Sequence, residues 1–174
     1  MSSQGPLSPS TQSSTSTAGQ AGWTNNTSGL KSQEGTLSTT TPSLGGTSRT
    51  LRLSAYGFSV PSGATINGIV VEFYNISQST EGHLGITLTK TVNVGTGTGK
   101  DVIPTASTGY QTLGTSSDLW GTTWTVAEIN ATGFGCLVDA NDQDEAGGSM
   151  SLDHVRITVY YTATATSTGM MIAV

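Results

Sequence analysis

From His154 to Tyr161 the chain alternates strictly, with Val155, Ile157, Val159 and Tyr161 set against His154, Arg156, Thr158 and Tyr160. Successive side chains of a strand point to opposite faces, so this period of two describes a strand with one dry and one wet face. The pattern returns along the chain. Leu51, Leu53 and Ala55 alternate with Thr50, Arg52 and Ser54, and Ile69, Val71 and Phe73 oppose Val70, Glu72 and Tyr74 within the longest run, residues 66–76. Leu84, Ile86 and Leu88 alternate after Glu81-Gly82, with Val92 and Val94 as a continuation, and Phe134, Cys136 and Val138 form another inward set. Half-polar strands imply antiparallel sheets with one solvated face each. Two such sheets stacked make a sandwich. The expected fold is therefore all-β, an antiparallel, jelly-roll-like β-sandwich over residues 47–162.

The connections fit this reading. Val60-Pro61-Ser62-Gly63 makes a turn, Pro presetting φ and Gly free to take positive φ. Thr125-Val126-Ala127-Glu128 matches a capping box, which predicts one helical turn serving as a connector, with Gly133 placed where that turn must stop.

The two ends differ in composition. Residues 1–46 are mostly Ser, Thr, Gly, Gln and Asn, and their few apolar side chains (Leu7, Trp23, Leu30, Leu37, Leu44) follow no sustained period. Such a stretch does not bury enough surface to offset its ordering entropy, so it is expected to be an extended N-terminal arm that orders on docking. Trp23 and Leu30 are its expected contact residues, since a large apolar group normally seeks a pocket. After Tyr161 a Thr-rich spacer leads to Met170-Met171-Ile172-Ala173-Val174. Residues 163–174 are read as a short C-terminal tail whose Met171 and Ile172 dock on an adjacent subunit. On this reading, deleting residues 1–45 leaves the melting temperature of the sandwich nearly unchanged.

Composition narrows the function. With six Lys and Arg against eleven Asp and Glu, the chain carries a net charge of −5 and lacks the basic footprint that a phosphate backbone requires, so nucleic acid is not an expected partner. One Cys excludes an internal disulfide framework and a Cys-rich zinc site. No apolar run approaches the ~18 residues of a membrane span, and the first residues have neither the basic nor the apolar stretch of a secretory signal, so no membrane partner is expected.

Few residues suggest chemistry. Gly95-Thr96-Gly97-Thr98-Gly99-Lys100 resembles a phosphate loop, but Val94 takes the first Gly position, Asp101 follows the Lys, and no helix comes next. The acidic loop containing Asp139, Asp142, Asp144 and Glu145 is a weak candidate for a cation site, its spacing fitting no EF-hand. His83 and His154 read as surface or turn residues, and Asp153 beside His154 is no dyad because neighbours on a strand face apart. Ser28-Gly29-Leu30-Lys31 lacks the rest of a nucleophile elbow. Cys136 alternates inward and reads as a packed small hydrophobe. No catalytic residue and no cofactor are expected. Trp120 and Trp124, with Tyr110 upstream, are either a sugar-stacking surface or a plug for the end of the sandwich.

Four segments, taken in order, resemble a known family. They are Val60-Pro61-Ser62-Gly63-Ala64-Thr65-Ile66-Asn67-Gly68-Ile69-Val70-Val71, Leu119 to Asn130 with its Leu-Trp-Gly and Glu-Ile-Asn, Phe134-Gly135, and Asp153 to Tyr161. Together with Trp23-Thr24-Asn25 they span residues 20–161, and the chain is similar to β-sandwich proteins of tailed-bacteriophage and prophage virions. His154, inside the last motif, is a departure from the family pattern. The resemblance implies a virion structural protein, most simply a capsid cement (decoration) protein on the outer surface of the head. Its expected partners are major capsid protein and further copies of itself, commonly as a trimer. The alternative it leaves open is a tail-fibre or baseplate module that binds host surface glycans through Tyr110, Trp120 and Trp124.

Overall fold

The alternating runs form strands in the computed structural model, which describes residues 1–78, 82–105, 109–142 and 149–164. In chain order these are β1 (Ser2–Leu7), β2 (Thr11–Ser14), β3 (Ser38–Thr40), β4 (Leu51–Ser54), β5 (Thr65–Gln78), β6 (Gly82–Thr91), β7 (Val94–Gly95), β8 (Lys100–Val102) and β9 (Gly109–Gly114). The short helix α1 (Val126–Asn130) follows, then β10 (Gly135–Asp142) and β11 (Met150–Thr162). These strands pair antiparallel and fall in two sheets, one ordered β1-β11-β5-β9 with β3 also on β11, the other β2-β4-β10-β6-β7 with β8 also on β6. The protein is an all-β sandwich, as the alternation predicts.

The inward sets meet between the sheets. Ile69, Val71, Phe73, Val155, Ile157 and Val159 pack from one side against Leu51, Leu53, Leu84, Ile86, Leu88, Cys136 and Val138 from the other, all fully or almost fully buried. Val92 and Val94 do not continue β6. The chain reverses at Asn93, which takes φ +78°, and β7 pairs back on β6.

The first 46 residues are not an arm. β1 lies along β11 with Ser2 opposite Tyr161, and β2 lies along β4 with Gln12 opposite Leu53, so the first fourteen residues extend one edge of each sheet. Trp23 is only 5% exposed and Leu30 is fully buried, both inside this chain's own core. The indole N–H of Trp23 donates to the Arg49 carbonyl at 2.6 Å and the Ser48 hydroxyl at 3.1 Å, which satisfies the polar edge that burial would otherwise strand. Gln12 is the polar counterpart. Its amide N–H₂ donates to the Asn25 carbonyl, and its amide oxygen accepts from the buried Leu30 N–H at 2.8 Å. Leu30 in turn presents its carbonyl to Val155 N–H of β11. The physical reason the arm reading fails is that these strands bury few apolar groups of their own. Backbone ladders and one buried amide supply what the hydropathy pattern does not show.

One end of the sandwich is closed by the segments around α1. Thr125 accepts from Glu128 N–H while the Glu128 carboxylate accepts from Thr125 N–H, the expected capping box. Asn130 then clips β5's lead-in, accepting from Val60 N–H at 2.8 Å and donating to Val60 carbonyl at 2.9 Å. Trp124 meets Phe134 edge to face at 5.5 Å between centroids. Two glycines allow the closure: a Cβ on Gly68 would strike the Ser116 backbone, and one on Gly135 would strike the Leu53 carbonyl.

Candidate functional site: the outer face of the β1-β11-β5-β9 sheet

Register places four rows of side chains across this sheet's solvent face. His154, Tyr74 and Tyr110 form the first, and Arg156, Glu72 and Thr112 the second. Thr158, Val70 and Gly114 form the third, and Ser3 and Tyr160 stand with Gly68 in the fourth. Small side chains in the third row leave a depression between taller ones. The result is a groove of about 550 Å³.

The second row is the best ordered. Arg156 forms a two-pronged pair with Glu72, Nε to Oε2 at 3.0 Å and Nη2 to Oε1 at 2.9 Å, both groups about a quarter exposed. The guanidinium also lies 3.6 Å from the centroid of the Tyr110 ring. Bonding to Glu72 pushes the Arg156 pKa further up, so the guanidinium stays charged across the ordinary pH range.

The first row is a hydrogen-bonded relay. The Tyr110 hydroxyl donates to Gln33 Oε1 at 3.2 Å and lies 2.6 Å from His154 Nδ1. A hydroxyl has one proton to give, so with that proton on Gln33 the imidazole must carry its own on Nδ1. Nε2 is then the acceptor for the Ser8 hydroxyl at 2.9 Å. The relay ties β1's exit and the loop after Leu30 to β11 and β9. His154 is not the surface residue that the sequence suggests, being only 6% exposed. β11 shifts register between Leu152 and His154, so strict alternation lapses there, and the buried Asp153 accepts Gly35 N–H at 3.0 Å. Pro9 follows Ser8 and has no N–H, so the amide that commonly steadies an oxyanion beside a nucleophile is missing here.

Burial, then the Arg156 charge, holds the His154 pKa below its ordinary 6.5, against smaller opposing pulls from Asp153 and Glu72. Below pH 6.5 an unfolded chain takes up this proton before the folded one does. Stability is therefore whole above pH 6.5 and declines as pH falls through the lowered folded value. Asp139, held above its ordinary 3.8 by burial and by Asp101, acts in the opposite sense: its contribution is lost as pH rises through the raised value. Melting temperatures at pH 7.5 and pH 5 are expected to drop for the natural chain, and His154→Gln is expected to flatten that part of the drop. An identical slope in the variant would show that His154 does not carry it.

The other candidate residues fall elsewhere. Trp120 (1% exposed) and Trp124 (7%) plug the sandwich end and offer no stacking surface. Their indole N–H groups donate to the Ile69 carbonyl and the Leu119 carbonyl, both at 2.9 Å. Tyr110 does reach the outer face, but one side of its ring carries Arg156 and its edge meets Tyr74, so it is a pedestal. Lys100 of the glycine-rich loop bonds Asp118 at 2.7 Å and sits 4.9 Å from the Trp120 ring, so its charge serves packing. Burial pushes the Cys136 thiol up to about 12, with the Tyr56 hydroxyl 3.6 Å away, which keeps it a thiol at neutral pH. Asp139 faces Asp101 across Gly85 on the other sheet, and His83 pairs with Asp101 at 2.9 Å. Among the described residues no three His, Cys, Asp or Glu side chains gather as a metal site. The Asp142 side chain, Asp144 and Glu145 lie outside the described residues, as do Met171 and Ile172.

Sequence reasoning missed the groove because it is assembled from four strands. Two of them, β1 and β9, carry no apolar alternation to mark them. The outward set His154, Arg156, Thr158 and Tyr160 was the available signal: a wet face that places an Arg, a His and a Tyr in one line. No family model, no curated protein and no solved structure matches this chain.

Proposed function

We propose that this is a bacteriophage virion structural protein, a capsid cement or decoration protein that stabilises the head by bridging major capsid protein subunits, acting as a homo-oligomer, most simply a trimer. The observation that carries the reading is what the resemblance residues do. Gly68 and Gly135 admit neighbouring backbone, Asn130 clips Val60, Trp120 caps the Ile69 carbonyl, and Trp124 packs on Phe134. A signature made of scaffold residues suits a family whose members share a shape and work by contact, as a shell component does. The strand order β1-β11-β5-β9 facing β2-β4-β10-β6, with the chain crossing between sheets at five of the seven steps from β4 to β11, supports the jelly-roll form of the sandwich.

With Trp23 and Leu30 occupied internally, the bridging contact moves to the surface. The β6–β7 hairpin presents Val92 (44% exposed) and Val94 (59%) on either side of Asn93, an apolar tip with no partner of its own in the core. The Thr164 hydroxyl donates to the Gly63 carbonyl, which holds residue 164 beside the turn before β5. Immunogold labelling of particles from the strain that encodes the chain is expected to decorate heads. Replacing Val92 and Val94 together by Ser is expected to leave the melting temperature in place and to cut the copies retained per particle severalfold. Label confined to tails, or particles that lack the chain, would overturn the reading.

A further inference from the structure

We propose that the groove between Arg156 and Tyr160 binds a neutral oligosaccharide. This reading is independent of a role in the virion and concerns a surface other than the buried tryptophans. The groove's volume, about 550 Å³, falls within the ~300–1,000 Å³ of small-ligand sites. Its polar rim is made by Ser3, Thr112, Thr158 and the Arg156–Glu72 pair, with Tyr160 as the large ring along one side.

The chemistry of that rim selects the ligand. Glu72 takes two of the five guanidinium N–H groups, so the pair presents remaining donors beside carboxylate acceptors. A sugar hydroxyl both donates and accepts, and two vicinal hydroxyls match an adjacent acceptor and donor. The pair is close to neutral overall, so a phosphate or sialic acid gains from Arg156 what it loses to Glu72. An apolar peptide would strand the Thr and Ser hydroxyls. Arg156 is also fixed before any ligand arrives, clamped by Glu72 at its edge and the Tyr110 ring on its face, which lowers the ordering cost of binding. An ion pair on a solvent face adds little to stability, so such careful bracing of one side chain there is better matched to recognition.

The test is a glycan array printed with neutral gluco-, manno- and galacto-oligosaccharides beside their sialylated and sulfated forms, probed with the full chain. Thr112 is exposed on the edge strand β9 beside Glu72, so Thr112→Tyr fills the groove from its rim without entering the core. Binding is expected to neutral oligosaccharides, reduced at least tenfold by Thr112→Tyr at an unchanged melting temperature, and lost in Arg156→Met. Three results would overturn the proposal: no neutral glycan retained by the natural chain, binding restricted to acidic glycans, or equal binding by Thr112→Tyr. Head labelling with a silent array would leave the virion role standing and remove only the sugar site.

Discussion

Deleting residues 1–45 is expected to leave no folded protein. The deletion removes β1, β2 and β3, and with them the partners of β4's outer edge and of β11's. It also withdraws Trp23 and Leu30 from the core. Removing a buried Trp or Leu side chain alone costs about 3–5 and 2–5 kcal/mol. Together these approach the whole ~5–15 kcal/mol by which a domain is stable, before unpaired backbone on β4 and β11 is counted. Circular dichroism and a proton–nitrogen correlation spectrum of the shortened chain are expected to show collapse of dispersed signals, or an insoluble product. A shortened chain that melts within a few degrees of the full one would restore the arm reading of the sequence.

The second large effect concerns a glycine. Gly135 sits opposite Ser54 of β4 on one side and Thr89 of β6 on the other, in the middle of its sheet. A Cβ there would meet the Leu53 carbonyl oxygen in hard overlap, with the Leu53 carbonyl carbon at 2.9 Å and the Ser54 Cα at 3.0 Å. These are backbone atoms held by their own ladder, so no side chain can swing aside to make room. Overpacking into a flexible core costs about 1–3 kcal/mol; against fixed backbone, Gly135→Ala is expected to cost at least about 3 kcal/mol. Gly22→Ala is the control, because Gly22 is exposed, its φ is not positive, and nothing lies within 4 Å of its would-be Cβ. Urea midpoints are expected to separate the two variants widely. Near-equal midpoints would mean that β4 and β10 do not approach as described.

These two cases mark what could and could not be read from the chain. The core strands were legible because each announces itself by apolar alternation: Leu84, Ile86 and Leu88 need no partner to reveal which way they face. The capping box was legible because it is a local arrangement of four residues. β1 and β2 were hidden, since Ser2–Leu7 and Thr11–Ser14 contribute almost no apolar side chains. Gln12, the residue that points inward from β2, is an amide whose burial is tolerable only because Asn25, Ser38 and Leu30 satisfy it. Those partners lie thirteen to twenty-six residues away, so no window of sequence contains the reason. Trp23 was seen as a group in need of a pocket; what hydropathy does not tell is whose pocket. The site followed the same rule. One strand's outward residues were visible, whereas the pairing of Arg156 with Glu72 depends on β11 lying beside β5.

The central claim is that the first 46 residues are a built part of the sandwich. Native-state hydrogen exchange tests it most directly, in the intact chain and with no substitution. Thr15 N–H bonds the Thr50 carbonyl and Leu30 N–H bonds the buried Gln12 amide oxygen, while Ile69 N–H bonds the Asp118 carbonyl in the body of the fold. Leu30 is expected to exchange as slowly as Ile69, through opening of the whole domain, with Thr15 at the sheet edge protected by at least about a hundredfold over an unstructured peptide. Exchange of both amides at the rate of free peptide, with Ile69 still protected, would contradict the claim.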